Sequence, residues 1–373
     1  MENLGDNGVI EKCLTGGRAL TIRISDRPVG PGYPVFIVAE LSANHRHDLD
    51  VAVESIKAIK KAGADAVKLQ TYTADTLTID CDNEYFHIDH GTIWDGKLLY
   101  ELYQEAYTPW EWQPLLKRTA EEMNLICFSS PFDRTAVDFL EGINVPAYKV
   151  ASLEITDLPL IEYIASKGKP VMISTGVATL SELEDAVTAC RRVGNEQVIL
   201  LKCTTEYPAP LESVNLRALR PLQETFKTVV GLSDHTLGIS VPIAAVALGT
   251  SVIEKHFTLS KDLGGPDASF SLDPQEFSSM VRSIREVERA LGKVEYDLSE
   301  ATLKNREFCR SLFVVRDMNA GDLFTNETVR SIRPGHGLKP RYLDEILGRK
   351  ASRDIKRGTP ITWDLIERER RDS

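Results

Sequence analysis

The sequence predicts a parallel (β/α)8 TIM barrel followed by a small β-rich domain, and three observations carry that reading. From residue 35 to about 291, short β-branched and apolar runs alternate eight times with amphipathic stretches of helical period. Such alternation implies parallel strands joined by right-handed crossovers, and eight units in roughly 250 residues is the size of such a barrel. No Gly-x-Gly-x-x-Gly or Walker sequence opens any of the helices, so a doubly wound open sheet fits less well. After Gly292 the pattern changes to a polar connector and then to a segment with an internal repeat.

Residues 1–21 are a lead before the barrel, and disorder is one reading of them. The opening MENLGDNGVIEKC lacks a basic segment followed by an apolar core, so no signal peptide is expected. The barrel occupies 22–292. Its first strand runs are 35–41 (VFIVAEL), 66–72 (AVKLQTY), 125–130 (LICFSS) and 147–152 (AYKVAS). The other four are 170–175 (PVMIST), 198–204 (VILLKCT), 229–235 (VVGLSDH) and 252–258 (VIEKHFT). The connection after the second run, about 73–109, is unusually long. With its borders, Tyr72 to Trp112, it holds nine of the chain's 27 aromatic residues, which reads as a lid or an oligomer contact. Thr108-Pro109-Trp110-Glu111 predicts a capping box with proline at the first helical position, where a helix restarts.

A linker is expected over 293–311 and the small domain over 312–373. In that domain Arg316-Asp317-Met318-Asn319-Ala320-Gly321 recurs as Arg353-Asp354-Ile355-Lys356-Arg357-Gly358, which suggests a pseudo-symmetric β-rich unit. Its apolar mass is small, so it is expected to dock on something.

Composition narrows the function. A net charge of -11 argues against nucleic acid or an anionic membrane as partner, and the longest apolar runs are strand-sized. Six cysteines (13, 81, 127, 190, 203 and 309) are scattered without a Cys-x-x-Cys, as buried reduced thiols of a cytoplasmic protein would be, and no activating neighbour is evident for a catalytic one.

A (β/α)8 barrel places its active site at the C-terminal strand ends, and here those ends are polar. They offer Glu40, Lys68 with Gln70, Ser130, Lys149 with Ser152 and Glu154, then Ser174, Lys202 with Thr205, Ser233 with His235, and Glu254 with His256. Side chains two apart on a strand share a face, so Lys68/Gln70, Ser233/His235 and Glu254/His256 can look into the barrel mouth together. Charges in apolar strands are costly unless paired or used. Lysines with hydroxyls suit a small substrate bearing phosphate or carboxylate. His235 and His256 end consecutive strands; two imidazoles without cysteines suit Mn2+, Fe2+ or Co2+, and less selectively Mg2+. The other five histidines form no ligand motif.

These residues resemble the sialic acid synthase family from about residue 22 to 368. The resembling motifs include AELSANH (39–45), VKLQTY (67–72), FSSPFD (128–133), YKVASLE (148–154), MISTG (172–176), CTTEYPAP (203–210), GLSDHT (231–236), EKHFT (254–258), GGPDASFSL (264–272) and RPGHG (333–337). The resemblance implies a barrel followed by an antifreeze-like (SAF) domain, assembled as a domain-swapped homodimer. It implies phosphoenolpyruvate contacts at Lys68, Ser130, Lys149, Ser152, Ser174 and Ser233. Metal ligands are implied at His235 and His256, for Mn2+ or Mg2+ with Co2+ as a further candidate. Glu40, Gln70, Tyr207 and Asp267 resemble the sugar-handling set, and Arg333 the arginine that reaches the partner subunit's site. Lys202 and Thr205 depart from the His and Asn common in N-acetylneuraminate synthases. The stretches 92–112 and 200–204 look instead like the family's pseudaminic acid branch.

The implied reaction joins phosphoenolpyruvate to an amino-sugar aldehyde by aldol-like addition and releases phosphate by C–O cleavage. Glu40 is the candidate for sugar orientation and proton transfer, with Glu154 or Asp267 assisting. Rival readings are a sister synthase making legionaminate or N-acetylneuraminate, a Schiff-base aldolase using Lys149 or Lys68, and a non-catalytic sugar-binding relative.

Overall fold

The structure, a computed structural model, describes residues 20–89 and 91–367. Most of the N-terminal lead, with Cys13, His90 and residues 368–373, lies outside the described residues. The chain divides after Gly292 into two compact units.

The first unit opens with a hairpin of β1 (Ile22–Ile24) and β2 (Arg27–Val29), which turns through Ser25 in the left-handed region at φ 52. Strands of three residues are too short for periodicity to announce, so the hairpin was not anticipated. Eight strands follow: β3 (Phe36–Glu40), β4 (Ala66–Thr71), β5 (Ile126–Pro131), β6 (Tyr148–Val150), β7 (Val171–Ser174), β8 (Val198–Cys203), β9 (Val229–Asp234) and β10 (Val252–His256). They close in sequence order, with β10 pairing β3, into the predicted parallel barrel.

Alternation sorts each strand into two faces. Val67, Leu69, Ile173, Leu200 and Ile253 point outward into the helix layer. Phe36, Val38, Phe128, Met172, Leu201 and Val252 point inward, and the hairpin's Ile22, Ile24 and Val29 pack with them. Gly231 is also interior: a Cβ there would stand 2.4 Å from the Leu201 side chain and 2.7 Å from Val252 Cβ, so the lumen admits no side chain at that level. Farther along the same inward rows the residues turn polar, and register sets them abreast: His256 beside Glu40, Glu40 beside Lys68, Gln70 beside Ser130, and Ser233 beside Glu254. An apolar plug therefore supports a polar upper layer.

The expected capping box at Thr108 is absent. A 3-10 turn, Trp110–Trp112, has Pro109 as its cap with no side-chain bond, and the helix proper is Gln113–Glu122. The Thr108 hydroxyl is instead engaged by buried His45, whose Nε2 lies 3.0 Å away. Burial, with His47 adding repulsion, pushes the His45 imidazole down to about 4. A neutral ring thus ties the long connection to the loop after β3.

In the second unit, β11 (Ser311–Val314) pairs antiparallel with β12 (Val329–Ile332). The repeat is a true pseudo-dyad. Met318 and Ile355 exchange both backbone bonds at 2.9 and 2.8 Å. Asp317 accepts from the backbone N–H of Arg357 at 2.7 Å, while Asp354 accepts from the equivalent N–H of Ala320 at 2.8 Å. Despite its small apolar mass the unit has its own core, including Leu312, Val314, Phe324, Ile346, Ile361 and Leu365. The polar connector is not featureless: it contains a helix, Glu300–Asn305, and exposed Val294 and Tyr296. No helix among the described residues is long and apolar enough to cross a membrane.

Candidate active site

The upper layer of the barrel holds a buried network of opposite charges. Lys68 Nζ lies 2.8 Å from Glu40 Oε2 and 2.9 Å from Glu254 Oε1, and Lys149 Nζ stands 3.8 Å from the same Glu254 oxygen. The Ser233 hydroxyl donates to Glu254 Oε1 at 2.9 Å, and Gln70 Nε2 donates to Glu40 at 3.2 Å. Four such charges out of water are tolerable only when interlocked. Burial opposes ionisation of Glu40, yet the Lys68 ammonium, with His256 and Lys149 behind it, holds that carboxyl well below its ordinary range. Burial likewise opposes the Glu254 carboxylate, and Lys149 and Lys68 pull it down. Lys68 is held charged by its two carboxylates against burial, whereas burial wins at Lys149 and lowers it. The mouth is charge-balanced, because Glu40 and Glu254 stand among the lysines.

Glu254 is the hub of this network, and its part was not anticipated. It was visible only as one more polar strand end; its role depends on β10 pairing beside Ser233 and on its carboxylate reaching Lys68 past β3. Lys202 moves the other way. It shares the outward face of Leu200, between inward Leu201 and Cys203, and its Nζ donates to the Cys203 carbonyl at 2.8 Å, so it does not join the mouth.

The polar ring contains buried groups with unspent hydrogen-bonding capacity. Ser130 Oγ, Ser174 Oγ, Thr205 Oγ1, Glu154 Oε2, Glu254 Oε2 and His256 Nδ1 have no hydrogen-bond partner. Clustered orphans of this kind mark a place built for a polar ligand. Ser152 is positioned by Gly176, whose backbone N–H donates to its hydroxyl at 3.2 Å. A Cβ on Gly176 would stand 1.9 Å from Thr205 Oγ1 and 2.8 Å from Ser152 Oγ, so glycine is required for that approach. Glu154 sits in the 3-10 turn Ser152–Glu154 after β6; burial pushes its carboxyl up to about 7, against the pull of Lys149.

His235 and His256 stand side by side, ring centroids 5.3 Å apart. His235 Nδ1 lies 2.9 Å from the Thr204 carbonyl, which fixes the Nδ1–H tautomer and leaves Nε2 as a lone-pair donor. Burial lowers His256, keeping it neutral; its Nε2 is 3.4 Å from Glu40 and its Nδ1 is 3.8 Å from Asp267. Two adjacent imidazoles with carboxylates close by fit an oxygen-loving divalent ion that keeps positions for water and substrate; the Cys203 sulfur raises His235 against burial, so a metal would have to displace a proton there. Among the described residues no group of three His, Cys, Asp or Glu side chains is arranged to hold a metal ion, so the two imidazoles would need water or substrate oxygens to complete a site.

Cys203 has the neighbour that sequence did not reveal. Its Sγ lies 3.8 Å from His235 Nδ1, and His235 holds the thiol down at about 7 although burial opposes the thiolate. Cys127 and Cys190 are buried and pushed up to about 12, Cys81 is half-buried and Cys309 is exposed. Tyr207 packs on His235 at 4.4 Å between centroids, and Phe270 packs on His256 at 4.9 Å. Of the residues singled out from sequence, Glu40, Lys68, Gln70, Ser130, Lys149, Ser152, Glu154, Ser174, Tyr207, Ser233, His235, His256 and Asp267 all belong to the first unit. Arg333 belongs to the second, exposed just after β12.

Comparison with known proteins agrees with the fold and the two-unit organisation. A NeuB family profile matches residues 55–296, and a SAF domain profile matches residues 310–367. The pseudaminic acid synthase of Helicobacter pylori is 49% identical over 90% of this chain and 98% of its own. That of Campylobacter jejuni is 48% identical over 88% of this chain and 95% of its own. The N,N'-diacetyllegionaminic acid synthase of Legionella pneumophila is 38% identical, over 91% and 97%. The crystal structure of the Bacillus subtilis spore coat polysaccharide biosynthesis protein spsE is similar with a TM-score of 0.64 and 34% identity, covering 94% of this chain and 99% of that one.

Proposed function

The chain belongs to the NeuB family, and on that footing we propose that it is a pseudaminic acid synthase, joining phosphoenolpyruvate to 2,4-diacetamido-2,4,6-trideoxy-L-altrose. The observation that carries the choice of sugar is the greater identity, over nearly the whole chain, to the two pseudaminic acid synthases than to the legionaminic acid synthase.

Phosphoenolpyruvate fits the ring of Lys68, Lys149, Ser130, Ser152, Ser174 and Ser233. The unpartnered Ser130 and Ser174 hydroxyls supply donors, and Lys149, the less tightly paired lysine, supplies charge. Carbon 3 attacks the aldehyde carbon of the open-chain sugar, which Glu40, Gln70, Tyr207 and Asp267 hold in place. Glu40 is kept ionised by Lys68, so it accepts hydrogen bonds from sugar hydroxyls and is not the resting acid. Water then adds at carbon 2. Glu154, poised near neutrality, takes the proton from that water. The water oxygen becomes a hydroxyl on a tetrahedral carbon 2, which collapses to the 2-keto group as the C–O bond to phosphate breaks. The bridging oxygen leaves with phosphate, which takes the hydroxyl proton, and the proton taken from water passes to the former aldehyde oxygen. His235 and His256 would hold a divalent ion, Mn2+ or Mg2+ with Co2+ a further candidate, which when bound supplies Lewis acidity to the aldehyde carbonyl.

The assembly we favour is a homodimer in which Arg333 reaches the partner's site, where a guanidinium can fork onto sugar oxygens. Free buried cysteines and the use of phosphoenolpyruvate suit the cytoplasm. Mass spectrometry of products from phosphoenolpyruvate and a panel of amino-sugar aldehydes tests the reading. The expected result is a nine-carbon acid, most readily from the trideoxy diacetamido sugar, with no lysine trapped by borohydride. Faster turnover of a legionaminate or N-acetylneuraminate precursor would overturn the sugar assignment.

A further inference from the structure

The long connection after β4 ends its excursion on the active-site aromatics through one residue, Trp94. The turn that presents it is tightly built. The Asp95 carboxylate accepts from the backbone N–H groups of Gly91 and Thr92, both at 2.8 Å, and the Trp94 N–H donates to the Thr92 hydroxyl at 3.2 Å. Ile88 and Lys97 close the base, with Ile88 N–H donating to the Lys97 carbonyl at 3.0 Å. The indole N–H then donates to the carbonyl of Pro266 at 3.2 Å, immediately before Asp267. The ring tilts against Tyr207 at 5.4 Å between centroids, Tyr207 meets His235 at 4.4 Å, and Phe270 meets both Tyr207 at 5.2 Å and His256 at 4.9 Å. Trp94 is half-buried, so its ring is only partly used by these contacts.

We infer that Trp94 is a specificity-determining residue, whose indole forms the apolar wall against which the non-reacting end of the sugar rests. The histidines and carboxylates at one end of this aromatic series handle the aldehyde. The chain of rings leads away from them to the indole, which is one ring, Tyr207, removed from His235. A methyl or acetamido methyl gains from an aromatic face what a hydroxymethyl loses on desolvation. The wall therefore favours a 6-deoxy, N-acylated sugar over a 6-hydroxylated one, and discrimination of about 10- to 100-fold is what one such apolar contact supplies. This rests on the synthase reading above, but it assigns to one loop residue a choice that the phosphate and metal positions do not make.

The test is steady-state phosphate release by the full-length protein and by its Trp94→Ala and Trp94→Phe variants. Substrates are the trideoxy diacetamido sugar and N-acetylmannosamine, each titrated at saturating phosphoenolpyruvate, with thermal unfolding run in parallel. Trp94→Ala should raise the KM for the preferred sugar about tenfold, shrink the preference between the two sugars, and leave the KM for phosphoenolpyruvate within about twofold. Trp94→Phe, which keeps an aromatic face, should recover most of the preference. An unchanged sugar KM and preference in Trp94→Ala would overturn the inference, as would an equal rise in both substrates' KM. If the unmodified protein instead prefers N-acetylmannosamine, the proposed substrate fails. Trp94 is then judged separately, by whether Trp94→Ala changes the KM of whichever sugar is turned over.

Discussion

Lys255 and Asp234 form a fully buried ion pair, 2.5 Å from Nζ to Oδ2, on the outer side of the two strands whose inner sides carry the histidines. Lys255 Nζ also donates to the Thr236 carbonyl at 2.6 Å, and Asp234 accepts from the Thr236 N–H and hydroxyl, both at 3.1 Å. His235 is thereby clamped between Asp234 and Thr236, and His256 follows Lys255 directly.

Removing one member leaves the other charged and buried. Lys255→Met or Asp234→Asn should each cost about 3 to 4 kcal/mol in urea unfolding, while the double replacement should cost less than the sum. The single variants should also bind Mn2+ more weakly, measured by calorimetry. An unaltered affinity would mean that the pair stabilises the barrel without positioning His235.

Metal dependence is the second expectation. Chelation should abolish phosphate release, and Mn2+ or Mg2+ should restore it. His235→Ala and His256→Ala should each fold and lose most turnover, since one imidazole then remains. Full activity in a demonstrably metal-free sample would rule the role out.

Much of the site was readable because barrel strands alternate: a polar residue two positions before another polar strand end has one place to point. Lys68 with Gln70 and Glu254 with His256 are legible in that way. What sequence hides is pairing across strands. Glu254 becomes a hub only through Lys68, Lys149 and Ser233, each on a different strand. Thr108 reads as a helix cap until His45, 63 positions away, takes its hydroxyl. Cys203 reads as inert until β9 sets His235 beside it. Lys202 reads as a mouth residue only if the faces of β8 are miscounted by one.

A third expectation concerns Arg333, which lies exposed in the second unit just after β12. If the proposed guanidinium contact to the sugar is made, Arg333→Ala should raise the sugar KM about tenfold with little change in the phosphoenolpyruvate KM. Mixing it with Lys149→Ala should recover activity. In each mixed dimer one site would pair an intact Lys149 with the partner's intact arginine. Confirmed heterodimers that stay inactive would place Arg333 outside the partner's site.

The last expectation follows from Glu154, whose carboxyl burial pushes up to about 7. Its catalytic consequence is a limb in the pH profile of kcat near neutrality, rising as the carboxylate forms, if it takes a proton from the attacking water. Its stability consequence has the opposite sign. A carboxyl raised in the folded state favours folding while protonated, and that contribution is lost as pH climbs from the unfolded value, 4.5, through about 7. Partial exposure discounts the effect, so the loss should be about 2 kcal/mol, not the full value of the shift. Glu154→Gln cannot ionise and should escape it. Its unfolding free energy should match that of the unmodified protein at pH 5 and exceed it at pH 8, while its turnover loses the neutral limb and falls at least tenfold. Equal stabilities at both pH values would show that Glu154 ionises normally, and the base would then have to be sought among Glu40 and Asp267.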